Sequence, residues 1–555
     1  MVKMKSLLRK TLKVIGIILS VIIVILLILF IIFNKQVMLV KDYFDKAAFI
    51  DKNTAYTTVD TTLTMEQRLS DFDYMYDIVC LQNPNKEYLE KQFGLSYQDI
   101  YDRYREKVLE TKDEYDYYSL LTSFLSVLPG QHNVMLLPDF DKYVVHGMYA
   151  QLERMWTQDI KDHVSSWHDA FRDNVYSYDQ RALLFRYING EYYAFTISLC
   201  ENMTEYNGAK LLTLNGKNVD ERVYELYERY VPTYDSENDK FFRKILIFNE
   251  SIGDKYTAEL EMPDGKIVKV DLYDDPGFDL AISDKNKVYG ETTEETDDDT
   301  ASDDKPTSYF IAEDKERKLV YIRHDRCLSS EAQRLVDDIK TAVDNTNAEY
   351  IILDIRDNSG GDSGMVKDRL SPALFMDDIS FKANVKLPLN GPAEYFADTP
   401  MSWLGNFKNF KKKDGYITYT EDLSVDGRAE KEYKIYVLVS SVTFSSGDIM
   451  AQIAKKYKNA TVIGSNTGGE GYCGALFNDW LPESRFTFAY APGVNTDYPE
   501  DSVYGTEPDI HMSMLKEYYD KRDELEAQGT EVYTYEGRQL WDGILIKTLE
   551  IIDAQ

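Results

Sequence analysis

The chain has 555 residues, of which 44% are hydrophobic and 28% are charged, and its formal net charge is −32 at pH 7. A chain of this length has room for about two to four domains with real hydrophobic cores, which excludes an intrinsically disordered protein. Nucleic-acid binding needs clustered Lys and Arg that neutralise phosphates, so the strong negative charge also argues against a nucleic-acid partner.

The N-terminus combines a basic segment with an uncharged run over residues 14–33 that is apolar except for Ser20. Basic residues precede the run at Lys3, Lys5, Arg9, Lys10 and Lys13. As a helix, the run is about 30 Å long, which is enough to cross a bilayer. A cleaved signal peptide is the alternative, but its apolar region usually has about 7–15 residues and ends at a small-residue cleavage site. We predict a cytoplasmic tail and a retained transmembrane signal-anchor over residues 1–35, with the large domain extracytoplasmic because positive flanks stay inside.

Residues 36–180 are predicted to form a helical N-terminal domain. From about residue 64 to 128, Leu, Tyr, Glu and Lys recur at helical spacing with few breakers. This stretch ends in a Pro-Gly helix stop, which is followed by His132 and a short apolar strand. Taken alone, His132 is more consistent with a loop histidine that has no role, since an isolated histidine seldom identifies a site.

Residues 181–275 have the pattern of short alternating strands, including a hairpin with strands over 256–262 and 266–272. A strand and an Asn215-Gly216 turn before Val219 resemble the region that precedes the first helix of a PDZ domain. PDZ folds bind extended peptides, often C-termini, by adding a strand to a sheet edge, so the resemblance implies that this region presents a substrate tail. A β-rich spacer without a ligand is the alternative.

Residues 276–308 are predicted to be an acidic linker. Within them, residues 291–306 contain, apart from Pro306, no apolar side chain larger than that of Ala301, and such a segment cannot pack. A calcium site is an alternative, but the ordered alternation and the glycine of an EF-hand loop are missing.

The cysteines and histidines do not indicate a metal site. The four cysteines are too few and too scattered for a disulfide framework or a zinc site: Cys80, Cys200, Cys327 and Cys473. The six histidines contain no HExxH spacing. We expect no metal and no other cofactor.

Strands and helices alternate in residues 309–530, before a C-terminal extension over 531–555. Predicted strands cover 319–323, 350–355, 434–440 and 460–463, and predicted helices cover about 331–344 and 446–456. Strands separated by helices imply parallel βαβ units, in which the loops after the strands meet at one edge of the sheet.

Two of these loops carry residues that suggest acyl transfer. The predicted strand over 350–355 leads into a glycine loop at Gly360 and Gly361. The predicted strand over 434–440 leads into a helix at Ser445 and Ser446. A serine at a strand-to-helix junction exposes its hydroxyl beside a helix N-terminus, while nearby amides can bind an oxyanion. An ordinary helix N-cap is the alternative interpretation of Ser445.

Four motifs in this order resemble peptidase family S41, the tail-specific or C-terminal processing serine peptidases. They are Asp354-Ile-Arg356-Asp-Asn358-Ser-Gly360-Gly361, Thr443-Phe-Ser445-Ser446-Gly-Asp448, Val462-Ile-Gly464-Ser-Asn-Thr467-Gly468-Gly469 and Gly505-Thr-Glu507-Pro508-Asp509-Ile510. The resemblance implies an α/β, ClpP/crotonase-like core. It also implies that Ser445 is the nucleophile and that the amides of Ser446 and of Gly360 or Gly361 form the oxyanion hole.

The general base departs from the Ser-Lys branch of that family. There a lysine lies 25 positions after the nucleophile in a Gly-Lys-Gly turn, whereas this chain has Glu470 at that place. In the tricorn-like branch, a helical lead-in ends in a turn whose histidine is the base, and His132 is similarly placed although the flanking Asp and Thr are missing. A carboxylate can orient such a histidine. Glu470 is the first candidate for that acid and Asp501 the second, because the tricorn-like branch draws its acid from just before the Gly-x-x-Pro-Asp motif.

Two functions of different classes remain. The first is a membrane-anchored extracytoplasmic serine endopeptidase of the tail-specific type that cleaves proteins or peptides, with their C-termini held by the PDZ-like region. The second is a catalytically impaired binding or scaffolding protein of the same fold.

Overall fold

The structure of the chain is a computed structural model. It describes residues 54–81, 83–94, 96–128, 132–138, 157–176, 181–196, 202–226, 233–250, 254–274, 307–390, 410–471, 476–498 and 500–555. Within these ranges no helix is long and apolar enough to cross a membrane. The predicted signal-anchor over residues 14–33 and the acidic segment over 291–306 both lie outside the described residues.

Helices make up the N-terminal part of the described chain. They are α1 (Met65–Tyr76), which a π-helical turn (Asp77–Leu81) continues, α2 (Lys86–Phe93), α3 (Tyr97–Val108), α4 (Glu114–Ser126) and α5 (Gln158–Tyr176). A capping box between Thr64 and Gln67 begins α1, and the side chains of Ser96 and Asp113 cap α3 and α4. Such caps bind amides that a first turn leaves without partners. The helical prediction for residues 64–128 is confirmed.

Strands dominate from residue 182 to 274. After the two-residue strand β1 (Val134–Met135), they are β2 (Ala182–Ile188), β3 (Glu191–Phe195), β4 (Lys210–Leu214), β5 (Lys217–Asn218), β6 (Thr233–Asp235), β7 (Lys240–Phe242), β8 (Ile245–Asn249), β9 (Asp254–Glu261) and β10 (Ile267–Asp274). Seven of them form an antiparallel sheet in the order β3-β2-β8-β10-β9-β4-β5. The predicted hairpin is confirmed as β9 and β10, and the strand and turn near Asn215 lead into helix α6 (Val219–Leu226).

The remaining strands belong mainly to the C-terminal half. They are β11 (Tyr309–Asp314), β12 (Leu319–His324), β13 (Tyr350–Asp354), β14 (Lys382–Pro388), β15 (Lys411–Lys413), β16 (Tyr416–Asp422), β17 (Lys434–Val439), β18 (Ala460–Gly464), β19 (Phe477–Trp480), β20 (Thr487–Tyr490), β21 (Val494–Asn495) and β22 (Ile510–His511). The longer helices among them are α7 (Ala332–Thr346), α8 (Ser446–Lys456), α9 (Lys516–Ala527) and α10 (Gly543–Asp553). Their alternation is that of a mixed α/β fold.

A six-stranded sheet, in the order β11-β12-β13-β17-β18-β22, organises this half. Strand β11 pairs antiparallel at one edge, and the other neighbours pair parallel. The predicted parallel βαβ core is therefore confirmed, whereas the antiparallel edge strand was not predicted. The carboxyl ends of β13 and β17 lie side by side, since Asp354 pairs with Leu438.

Both faces of the sheet are apolar, as expected for parallel strands that are covered on each side. Along β13, Ile351 and Leu353 belong to the core that also contains residues of α7 and α8, while Ile352 belongs to a second core with residues of α10. This alternation follows from the two-residue period of a strand. Helix α10 lies in the predicted C-terminal extension, and it covers one face of the sheet.

The helical region and the C-terminal half share one core. Strand β1 pairs with β20, and the cluster around Phe72 includes Phe486, Phe488 and Tyr490. The indole of Trp167 donates to the Ser484 carbonyl at 2.7 Å. These contacts fix the position of the chain just after α4, where His132 lies.

Candidate active site

Ser445 lies at the junction of β17 and α8, in a backbone conformation that residues other than glycine rarely adopt. Its φ is 56° and its ψ is −120°, and such a conformation persists only where the surroundings impose it. The Phe444 amide donates to the Asn358 carbonyl at 2.9 Å, and the Ser445 amide donates to the Gly469 carbonyl at 3.0 Å. Three of the four sequence motifs therefore hold this residue in place.

The side chain of Ser445 does not act as a helix cap. Ser445 occupies the N-cap position of α8, as the alternative interpretation expected, but its side chain makes no capping hydrogen bond to the helix. We find no hydrogen bond of its hydroxyl to any residue that the structure describes, His132 included. Catalytic hydrogen bonds are often long in proteins without substrate, so the geometry leaves the hydroxyl available to a reacting group.

The glycine loop after β13 lies directly against Ser445. A β-carbon added to Gly360 would come within 2.7 Å of the Ser445 β-carbon, so only glycine fits there. The Gly360 amide donates to Asn358 Oδ1 at 2.8 Å, and the Ser446 hydroxyl donates to the Gly361 carbonyl at 2.7 Å. The loop and the start of α8 are thus bonded to each other.

The amides available for an oxyanion are those of Gly361 and Ser446. Among the described residues neither amide has an acceptor, whereas the Gly360 amide is already bonded to Asn358. Ser446 is also the first residue of α8, where the helix dipole favours negative charge. Of the two glycines named from the sequence, Gly361 is therefore the one whose amide can donate a hydrogen bond to the oxyanion.

His132 and Glu470 lie together although 338 residues separate them. His132 Nδ1 hydrogen bonds to Glu470 Oε2, and the His132 amide donates to the same oxygen at 3.2 Å. The two side chains are 12% and 4% exposed. A carboxylate on Nδ1 favours the tautomer with a proton there, which leaves Nε2 to take up a proton.

Phe444 connects this pair with the nucleophile. The ring centroids of His132 and Phe444 are 4.6 Å apart, and Phe444 directly precedes Ser445. On the other side, Gly469 accepts the Ser445 amide hydrogen bond and directly precedes Glu470. The structure thus brings Ser445, His132 and Glu470 to one place.

The other candidate acid, Asp501, lies in a short helix (Asp501–Tyr504). Its side chain is outside the described part of the structure. Glu470 is therefore the candidate acid whose contact with His132 the structure describes.

Asp448 connects three of the motifs, a role that sequence reasoning missed. Its carboxylate accepts hydrogen bonds from the hydroxyls of Thr467 (2.5 Å) and Thr506 (2.6 Å) and from the Gly471 amide (3.2 Å). Burial raises its pKa, and these hydrogen bonds oppose that rise. The signal was present in the motifs, because an aspartate in the first turn of a buried helix needs partners.

Arg356 and Asp354 stabilise the glycine loop. Arg356 makes bidentate contacts with Asp354 (2.6 and 2.8 Å) and with Asp542 (2.6 and 2.8 Å). Burial alone would raise the pKa of Asp354, but the charge of Arg356 outweighs it and holds that pKa well below its usual range. Asp542 also caps α10, so the loop is tied to the helix on the opposite face.

The site lies in the part of the chain that resembles a known family. Residues 318–512 match the model of peptidase family S41. The S41 match contains Ser445, Glu470 and the glycine loop, whereas His132 comes from outside it. This match supports a peptidase.

Solved structures that match this chain at low sequence identity include the following three. Mature CPAF, solved with lactacystin, is 14% identical, with 88% of this chain and 99% of that chain covered and a TM-score of 0.46. The photosystem II D1 C-terminal processing protease is 12% identical, with 82% and 94% covered and a TM-score of 0.33. The tricorn protease is 14% identical, with 88% and 37% covered and a TM-score of 0.32. A search of curated protein sequences found no match.

Proposed function

We propose that this protein is a serine endopeptidase of the tail-specific type, which cleaves protein or peptide substrates through an acyl-enzyme on Ser445. The observation that carries the proposal is the convergence of His132 and Glu470 on the strained Ser445 junction. The S41 match over residues 318–512 supports the reaction class.

In the proposed reaction, Ser445 Oγ attacks the scissile carbonyl carbon while its proton passes to His132 Nε2. The negative oxygen of the tetrahedral intermediate accepts hydrogen bonds from the Gly361 and Ser446 amides. His132 then gives the proton to the leaving nitrogen, and the C–N bond breaks. Water, deprotonated by the same histidine, releases the acid product and restores the serine.

Glu470 acts in this scheme through His132. An ionised carboxylate on Nδ1 holds the ring in one orientation and stabilises the imidazolium that forms when Nε2 takes the serine proton. In this scheme the general base is His132, and Glu470 orients it. In the Ser-Lys branch, by contrast, the lysine at the corresponding position is itself the general base.

The test is proteolysis by the purified full-length chain. We expect it to cleave an unfolded protein substrate, and we expect Ser445→Ala to remove that activity. Ser441→Ala, in the same loop, is the matched control and keeps activity. A well-folded wild-type protein that binds the substrate without cleaving it would instead favour the second candidate, an impaired binding or scaffolding protein of the same fold.

We also propose that residues 14–33 anchor the protein in the cell membrane and that the large domain is extracytoplasmic. The support is the sequence: a basic cluster before an apolar run that is long enough to span a bilayer. Protease added to intact cells or spheroplasts should digest the large domain. Protection of that domain until the membrane is lysed would contradict the proposed topology.

Recognition of substrate C-termini by the β-rich region is a further part of the proposal. It is supported by the succession of β4, a turn and α6 that resembles a PDZ segment. A peptide with a free C-terminal carboxylate should therefore have a lower KM than the same peptide with an amidated end. Equal KM values would contradict tail recognition without affecting the assignment of Ser445.

A further inference from the structure

One lysine of the β-rich region reaches the glycine turn that carries Glu470. Lys244 lies between β7 and β8, where its carbonyl accepts a hydrogen bond from the Tyr187 amide at 3.0 Å. Its side chain lines a cavity of about 430 Å³, whose other walls include Ser440, Ser441 and Ser465 of the peptidase half. Lys244 thus stands at the junction of the two regions.

The ammonium group of Lys244 lies close to Gly468. A β-carbon added to Gly468 would lie 3.5 Å from Lys244 Nζ, 3.3 Å from the Phe444 ring and 2.8 Å from the Ser441 carbonyl oxygen. The Gly468 amide donates to the Thr443 carbonyl at 2.8 Å, which holds the turn in place. The Lys244 cation therefore lies beside the same short turn as Glu470, close to the ring on which His132 packs.

Burial and the neighbouring charges do not all shift the pKa of Lys244 in the same direction. Burial lowers its pKa to about 8, the neighbouring Arg243 acts in the same direction, and Glu470 opposes both. The other charged residues that line this cavity are Arg186, Asp235, Arg323, Arg356, Asp357, Arg522, Arg538 and Asp542. Of the two neighbouring charges that shift the pKa of Lys244, Arg243 and Glu470, Glu470 is the one that favours the cationic form.

We propose that Lys244 is a positioning residue of this active site, whose cation beside the turn at Gly468 favours the ionised form of Glu470. An opposite charge nearby favours ionisation of a buried carboxylate, and the ionised form is the stronger acceptor for the Nδ1 hydrogen bond that orients His132. The inference rests on the proposed hydrolysis by Ser445, and it makes the β-rich region a contributor to the active site.

The test compares two substitutions of Lys244 with a matched control. Lys244→Met removes the charge, Lys244→Arg keeps it, and Lys240→Met removes a lysine of the same region that pairs with Asp220 at 2.9 Å. Two readouts are needed: the pH profile of kcat/KM, and the NMR titration of the His132 ring, which does not depend on activity.

Loss of a nearby cation makes proton uptake easier, so the His132–Glu470 pair should take up its proton at higher pH. In Lys244→Met we expect the acid limb of the profile and the His132 titration to move up by about half to one pH unit. At pH 7, kcat/KM should fall by about 1.5- to 3-fold, since a base with an ordinary pKa of about 6.5 would go from roughly three-quarters deprotonated to between one half and one quarter. Lys244→Arg should restore both readouts, and Lys240→Met should leave both unchanged.

An unchanged His132 titration in Lys244→Met overturns the proposal, whatever the activity. If Lys244→Arg is as inactive as Ser445→Ala and the titration is unchanged, Lys244 is the general base, and its assignment as a positioning residue is wrong. If the wild-type chain has no peptidase activity, the proposed function fails, yet the titration still decides the role of Lys244. Lys244→Gln, which keeps a polar group in the cavity, replaces Lys244→Met if the latter does not fold.

Discussion

The two sides of the candidate active site are built from the chain in different ways. On the nucleophile side, Ser445, Ser446 and the glycine loop follow two neighbouring parallel strands, so the fold of one sheet brings them together. On the base side, His132 meets Glu470 across 338 residues, and it is placed by a two-residue strand that pairs with β20. The nucleophile side therefore depends on local backbone geometry, whereas the base side depends on packing between distant regions.

The comparison predicts the largest effect at the nucleophile. Ser445→Ala should lower kcat by roughly 10³- to 10⁶-fold with an unchanged melting temperature, because the members of a catalytic triad act as a unit. Steady-state kinetics and thermal unfolding of the variant measure both. Substantial turnover by Ser445→Ala would place the nucleophile elsewhere.

The base side should be nearly as sensitive if the two sides form one catalytic unit. His132→Ala should lower kcat at pH 7 by roughly 10³- to 10⁵-fold. In the wild type, activity should fall as the pH drops through the ordinary histidine pKa of about 6.5, because a protonated imidazole cannot accept the serine proton. Full activity in His132→Ala, with a rate that rises only at alkaline pH, would mean that a lysine is the base. It would contradict the assignment of His132 to the base side of the site.

The acid should matter less than either, because it acts through the histidine. Glu470→Gln keeps the shape but weakens the orientation of the ring, and we expect a loss of about 10- to 10³-fold in kcat. Asp501→Asn is the matched variant of the other candidate and should change kcat by less than about threefold. A larger loss of kcat in Asp501→Asn than in Glu470→Gln would mean that Asp501, and not Glu470, is the acid that orients His132.

The smallest effect should come from the packing that places the base side. Tyr118 is buried in α4, and its hydroxyl donates to the Leu136 carbonyl at 2.9 Å, next to β1. Tyr118→Phe should cost about 1 kcal/mol of unfolding free energy. It should also lower kcat by a few-fold through His132, while Tyr101→Phe, whose hydroxyl bonds to Asp73 at 2.8 Å away from β1, should leave kcat unchanged. Equal kcat values in both variants would show that the β1 register does not control His132.

The same contrast explains how much the sequence could predict. The parallel strands, α7, α8 and the β9–β10 hairpin follow periodic patterns of nearby residues, and each is confirmed. The pairing of β1 with β20 was not predictable, because a two-residue strand carries no period and its partner lies far along the chain.

Within the site, the residues named from contiguous motifs lie where the prediction placed them, around Ser445. The engagement of the Gly360 amide by Asn358 Oδ1 could not be read from the sequence, since it depends on one side-chain rotamer. Lys244 was missed for a different reason: it comes from the β-rich region, and no motif connects it with Gly468.

The most direct test of the central claim is labelling with a fluorophosphonate probe, followed by mass spectrometry to locate the modified residue. If Ser445 is activated by His132 and Glu470, the probe should modify Ser445 in the wild-type chain at pH 7.5. Labelling should be abolished in Ser445→Ala and strongly slowed in His132→Ala. A folded wild-type protein without a label, or a label on another serine, would contradict the account.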